Sequence, residues 1–163
     1  MIIMQVIEIL RKIKLFSELN NSELLKLSRI CQKVNFKKGN IIFEAGEPGD
    51  ALFVIYEGEV EVVKPGKKEE PEQILAEFGP GEIFGEMALI EELPRSATVR
   101  AKEDARLLRI PREYFFRLLQ QEPGIALKIY KAISLVLAHR LRETSERLAI
   151  ANRIIQTASE TRA

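Results

Sequence analysis

The sequence has no tryptophan, a single cysteine (Cys31), a single histidine (His139) and almost no net charge, and each scarcity excludes something. One cysteine rules out an intramolecular disulfide and fits a reducing compartment, so a cytoplasmic location is expected. One histidine and one cysteine, without carboxylates at matching spacing, cannot assemble a zinc site, so no metal is expected. The two also lie far apart in segments that read as helices, with no third group to orient them, so an enzyme is not expected and no catalytic residue is assigned. With 25 basic and 24 acidic side chains the net charge is +1, and no global field attracts nucleic acid or anionic membrane. Long hydrophobic runs are missing as well. The apolar start MIIMQVIEILRKIKLF is interrupted by Glu8, Arg11, Lys12 and Lys14, well short of a membrane span, and no small-residue cleavage site follows it.

What is present suits one domain over residues 1–163, with enough apolar residues for a core. Residues of about 5–31 read as helical. In NSELLKLSRI, Leu24, Leu25, Leu27 and Ile30 fall at helical spacing behind Asn21 or Ser22 as N-cap. From about 33 to 111 the period shortens. VNF, IIF, ALFVIY, VEVV, ILAEF, EIF, ATVRA and RLLRI are separated by Gly and Pro turn signals, and eight of the nine glycines lie here. That spacing predicts about eight short strands in a small barrel or sandwich, a β-roll rather than a βαβ sheet. The fold class is therefore α+β, mainly β. KPGKKEEPEQ, residues 64–73, reads as a surface hairpin tip.

Residues of about 112–159 return to helix. REYFFRLLQQ forms one short helix, and from Ile125 to about Ser159 the absence of Pro and Gly permits one long helix or two. Leu137, Leu141, Thr144, Leu148, Ala151 and Ile155 follow a 4-3-4-3-4 spacing. One reading docks this stripe on the roll. The other makes residues 129–155 the seam of a homodimer, because the stripe is narrow and flanked by Arg140, Arg142, Glu143, Glu146 and Arg147. Thr144 is the polar exception on it.

The segment FGEMALIEELPRSATV, residues 84–99, places two charges among core-forming residues, where each needs a partner. Gly85 followed by Glu86, Met87 and Ala88 can open a short helix with free N–H groups. An ionised Glu86 only accepts hydrogen bonds and suits a pair of ligand hydroxyls. Arg95 is a rigid donor fork that matches two phosphate oxygens, and Ser96 and Ala97 can complete the cradle. Together they describe a site for a compact sugar phosphate. The alternative without a ligand is a buried Glu86–Arg95 salt bridge.

This segment resembles the phosphate-binding cassette of cyclic nucleotide-binding domains, roughly F-G-E-[apolar]-A-L followed by P-R-x-A-[TS]-V. GNIIFEAGEPGDALFVIYEGEVEV also resembles that family in its glycine spacing. The likeness spans residues of about 15–155. It implies an eight-stranded, jelly-roll-like double-stranded β-helix with flanking helices and a long C-terminal dimer helix. It also implies Glu86 on the ribose 2′-hydroxyl, Arg95 on the cyclic phosphate, and the Gly85–Ala88 backbone with Ser96 and Ala97 closing around it. VLAHRLRETSERL resembles the dimer helix of the bacterial catabolite activator regulators, which implies that Thr144 and Ser145 meet the adenine. Cyclic AMP is the implied ligand, with cyclic GMP open because Ser96 can accept a guanine amino group. No other cofactor is implied. Those regulators continue into a helix-turn-helix domain. Here too few residues follow the long helix to form one, so direct sequence-specific DNA binding is not expected, and a separate effector protein is the alternative partner. A ligand-free interaction module and a regulatory subunit of another chain remain open readings.

Overall fold

The computed structural model describes residues 2–162. Two helices come first, α1 (Ile2–Arg11) and α2 (Asn21–Ser28), joined through a 3-10 turn at Lys14–Phe16. The cap of α2 is Asn20, one residue before the N-cap expected at Asn21 or Ser22. Its Oδ1 accepts the Glu23 N–H at 2.9 Å, and Glu23 Oε1 accepts the Asn20 N–H at 3.0 Å. This reciprocal pair needs a glutamate three residues into the helix, which Asn20 has. Asn21 and Ser22 would meet Leu24 and Leu25 there.

Eight strands follow: β1 (Gln32–Phe36), β2 (Ile41–Phe43), β3 (Ala51–Glu57), β4 (Val60–Lys64), β5 (Gln73–Phe78), β6 (Ile83–Phe84), β7 (Thr98–Ala101) and β8 (Ala105–Pro111). They form two antiparallel four-stranded sheets, ordered β1-β8-β3-β6 and β2-β7-β4-β5. The expected β-roll with eight strands is what the chain adopts.

The continuous apolar run of β3 is explained by burial on both faces. Ala51, Phe53 and Ile55 point into the roll with Phe43, Val60, Phe84, Val99 and Leu107. Leu52 and Val54 point the other way, joining Leu108 and Ile110 of β8 under the helices. Register follows the same alternation, with Val54 opposite Leu108 and Phe53 opposite Arg109.

Two helices close the chain, α3 (Arg112–Gln121) and α4 (Pro123–Arg162). Of the two possibilities left open by sequence, one continuous helix forms. Pro123 is its first residue, where a missing N–H costs nothing. At 40 residues it is about 60 Å long. Ile125, Ile129 and Ile133 are buried in one cluster with Phe16, Leu24 and Phe115, where α4 packs on the Lys14–Phe16 turn and α3. Lys128 pairs with Glu23 at 2.7 Å and Lys131 with Glu18 at 3.5 Å. Residues 141–162 are exposed throughout. No helix among the described residues is long and apolar enough to cross a membrane.

Candidate functional site

The cleft of interest opens between the two sheets where β6 ends. Gly85 adopts φ +77°, a left-handed conformation open to glycine, and turns the chain into a 3-10 helix at Glu86–Leu89. The same glycine leaves room for a neighbour: a Cβ there would lie 2.8 Å from Arg95 Nη1. A second close approach occurs at Gly49, where a Cβ would lie 2.8 Å from the Ala88 Cβ. The cassette therefore depends on glycines both within it and beneath it.

The second half of the cassette is fixed by backbone. The Arg95 N–H donates to the Glu47 carbonyl at 2.7 Å, and the Gly46 N–H donates to the Arg95 carbonyl at 2.8 Å. Its side chain is 5% exposed. Nη2 donates to the Ala51 carbonyl at 2.8 Å and Nη1 to the Gly85 carbonyl at 3.4 Å. The guanidinium carbon lies 4.0 Å from the centroid of the Phe43 ring. The nearest carboxylate oxygen, on Asp50, is 3.6 Å away. Nε has no hydrogen-bond partner, although it is buried. Burial pulls this guanidinium below its ordinary pKa, against the opposing effect of Asp50 and Glu47. It is a desolvated cation with an unused donor, which an anion in the cleft would satisfy.

Glu86 is the other buried charge, at 6% exposure. The ligand-free alternative from sequence, a Glu86–Arg95 bridge, does not form. Arg140 of α4 reaches across instead, donating through Nη1 to Glu86 Oε1 and through Nη2 to the Ile83 carbonyl. Its guanidinium carbon lies 4.4 Å over the Phe78 ring. One helix side chain thus closes the cleft mouth over the carboxylate.

The cleft has a volume of about 240 Å³. Gly85, Glu86, Met87, Ala88, Arg95, Ser96 and Ala97, all named from sequence, line it together. Ala88 and Ala97 are buried within it, while Met87 and Ser96 lie at its exposed edge. Val62, Ala76, Phe78 and Val99 form an apolar end. The structure thus offers a cationic floor, a carboxylate acceptor and an apolar slot in one enclosure.

Thr144 and Ser145 are not brought to this cleft. Both are exposed, beyond Arg140 on α4, and the Thr144 hydroxyl donates to the Arg140 carbonyl at 2.8 Å. Sequence reading missed Arg140 as a site residue, naming it only as a flank of the seam. No local pattern marks it, because its partners Ile83 and Glu86 lie more than fifty residues earlier. Asp50 faces both Arg95, at 3.6 Å, and Arg109, at 2.9 Å.

Residues 33–122 match the model of the cyclic nucleotide-binding domain. A CRP-like cAMP-activated global transcriptional regulator of Mycobacterium tuberculosis is 30% identical over 142 residues, covering 87% of this chain and 61% of that protein. A cAMP-dependent protein kinase regulatory subunit of Emericella nidulans is 36% identical over 110 residues, covering 68% of this chain and 26% of that one. The chain thus spans less than two thirds of either relative. Among solved structures, a cyclic nucleotide-binding domain from Methylobacillus flagellatus superposes with a TM-score of 0.76 at 32% identity, over 89% of this chain and 81% of that one.

Proposed function

The chain belongs to the cyclic nucleotide-binding domain family, and from that premise we propose that it is a cyclic AMP sensor, a binding protein rather than an enzyme. The observation that carries this reading is Arg95: buried at the cleft floor, with Nε unpartnered and no carboxylate in tight contact. A cyclic phosphate supplies the missing acceptor, with the Gly85–Ala88 backbone and Ser96 around it. Glu86 accepts from the ribose 2′-hydroxyl, and the base lies along Val62, Ala76 and Phe78.

Occupancy reaches α4 through Arg140. Ribose hydroxyls and the guanidinium share the Glu86 carboxylate, so ligand entry changes the contact that holds the helix over the cleft. The seam of Leu141, Leu148, Ala151 and Ile155, beyond Leu137 which packs half-buried on the chain's own core, then packs against the same helix of a second copy, bringing Thr144 and Ser145 of the pair near the base. The exposure of Leu141, Leu148 and Ile155, each at 60% or more, supports a partner for that face. Similarity to a kinase regulatory subunit favours a second reading, in which the chain restrains a separate effector. Co-purification of a stoichiometric partner that leaves on nucleotide addition distinguishes it.

Calorimetric titration with cyclic AMP, cyclic GMP and linear AMP tests the first reading. The expected result is saturable binding of cyclic AMP, weaker cyclic GMP and far weaker linear AMP. Arg95→Ala is expected to weaken binding about a hundredfold or more, since the phosphate loses its charged fork. Parent-like affinity in that variant would remove Arg95 from the site.

A further inference from the structure

We infer that Arg112 is a positioning residue for the nucleotide site, holding the cassette helix from behind and tying its place to helix α3. The inference deepens the cyclic nucleotide reading and rests on it for its ligand, though not for its geometry.

Arg112 is the first residue of α3, directly after Pro111 ends β8. Its backbone N–H donates to the Asp50 carbonyl at 2.8 Å, which pins this joint to the start of β3. Its side chain turns back toward the cassette. Nε donates to the Ala88 carbonyl at 2.6 Å, and Nη1 pairs with Glu92 at 3.1 Å. The guanidinium carbon also lies 4.5 Å over the ring of Phe116, one turn further along α3. A single planar group therefore bonds the end of the Glu86–Leu89 segment, bonds the loop that follows, and stacks on its own helix. A short helix leaves its last carbonyls without internal donors, and Arg112 supplies the donor to Ala88.

The Arg95 half of the cassette reaches the same joint. Asp50, whose carbonyl accepts the Arg112 N–H, pairs one carboxylate oxygen with Arg109 at 2.9 Å and sets the other 3.6 Å from Arg95. Between them Gly49 brings the backbone against Ala88, with space for no side chain. Both ligand-facing parts of the cassette are thus seated on the residue that begins α3. Phe115, Leu118 and Leu119 of α3 share a packed cluster with Ile125 and Ile129 of α4. A displacement of Ala88 on ligand binding passes through Arg112 into α3 and the buried base of α4, a route separate from Arg140. Lysine cannot substitute here, because one ammonium on a flexible stem cannot hold Ala88 and Glu92 together while stacking flat on Phe116.

Amide hydrogen exchange on the full chain tests this, with and without saturating cyclic AMP, for the parent, Arg112→Ala, Arg112→Lys and Arg117→Ala. Arg117 is the control, since its side chain pairs within α3, with Glu113 and Tyr114. Without ligand, both Arg112 variants are expected to exchange amides 86–92 about tenfold faster or more, with the roll strands unchanged and Arg117→Ala like the parent. With ligand, the parent gains protection over 112–121. The Arg112 variants lose that gain and bind cyclic AMP about tenfold more weakly. Parent-like exchange over 86–92 in Arg112→Ala overturns the inference, and so does full recovery in Arg112→Lys, which would reduce the role to charge. Should Arg112→Ala fail to fold, the lysine variant carries the test. Should the parent bind no cyclic nucleotide, the sensor reading falls, while the ligand-free exchange still decides the positioning role.

Discussion

The two halves of helix α4 share one unbroken backbone, yet different forces hold them. Residues 123–139 bury Ile125, Ile129 and Ile133 and are clamped to α2 and the preceding turn by Lys128–Glu23 and Lys131–Glu18. Residues 141–162 are exposed throughout; Thr144, Thr157 and Ser159 bond carbonyls one turn back, and Arg147 makes a long 3.5 Å contact from this half to the roll, at the Leu75 carbonyl. Arg140 stands at the boundary, and its contacts with Glu86, Ile83 and Phe78 are where the helix meets the ligand cleft. The contrast teaches that helical geometry and helical burial have separate causes. Nucleation in the packed half lets a Pro- and Gly-free sequence continue as helix, but it does not give the second half anything to bury against. That half is left exposed.

The contrast breaks most severely at Ile129. Ile129→Ala is expected to cost about 3 kcal/mol of stability, read from urea unfolding, because the side chain is fully buried in the helical cluster. The matching truncation in the other half, Leu141→Ala, is expected to change monomer stability by less than about 0.5 kcal/mol. Comparable losses at both sites would mean that the halves are not different in kind.

Leu141→Glu sharpens the same point from the partner side. Sedimentation velocity is expected to report a monomer for this variant under conditions where the parent self-associates, with cooperative unfolding retained. A dimer that survives the charge places the interface elsewhere.

At the boundary, Arg140→Ala leaves the buried Glu86 carboxylate without its donor. A loss of about 2 kcal/mol is expected in the ligand-free protein, shrinking once cyclic AMP is present because a ribose hydroxyl replaces the lost bond. Thermal melting with and without nucleotide measures both, and an equal loss in the two conditions would remove Glu86 from ligand contact.

The smallest effect is acidic. Glu23 titrates below the usual glutamate range, mainly because it accepts the Asn20 N–H and secondarily because Lys128 faces it. Its contribution is therefore present above the ordinary glutamate pKa and lost as pH falls through the lowered value. Exchange over 123–135 is expected to quicken across that acid range before exchange over 141–162 changes beyond its intrinsic pH dependence. Glu23→Gln should remove the difference.

Much of this was legible in the residues. The shift from helical to two-residue period, with glycine and proline punctuation, marked all eight strands, because turn chemistry and alternation are local. FGEMALIEELPRSATV was legible as a cassette because its residue types and spacing resemble the family's pattern, although the backbone that seats Arg95 comes from Gly46 and Glu47, far earlier in the chain. Thr144 was legible as a polar break in a seam, and Ser145 only through the family resemblance, but one chain does not carry either to the cleft.

What tertiary structure alone decided is which charge meets which. Local sequence left open a ligand-free pairing of Glu86 with Arg95, two residues in one cassette. The fold instead sets Arg140 on Glu86 across 54 positions and leaves Arg95 on backbone carbonyls and Phe43, its Nε without an acceptor. It likewise puts Arg112 on the Ala88 carbonyl. Sequence sets periodicity, turns and donor types because these depend on neighbours along the chain. The partners of long, flexible arginines depend on how α3 and α4 lie across the roll, and that is fixed by the packing of Phe115, Ile125, Ile129 and Ile133 beneath them.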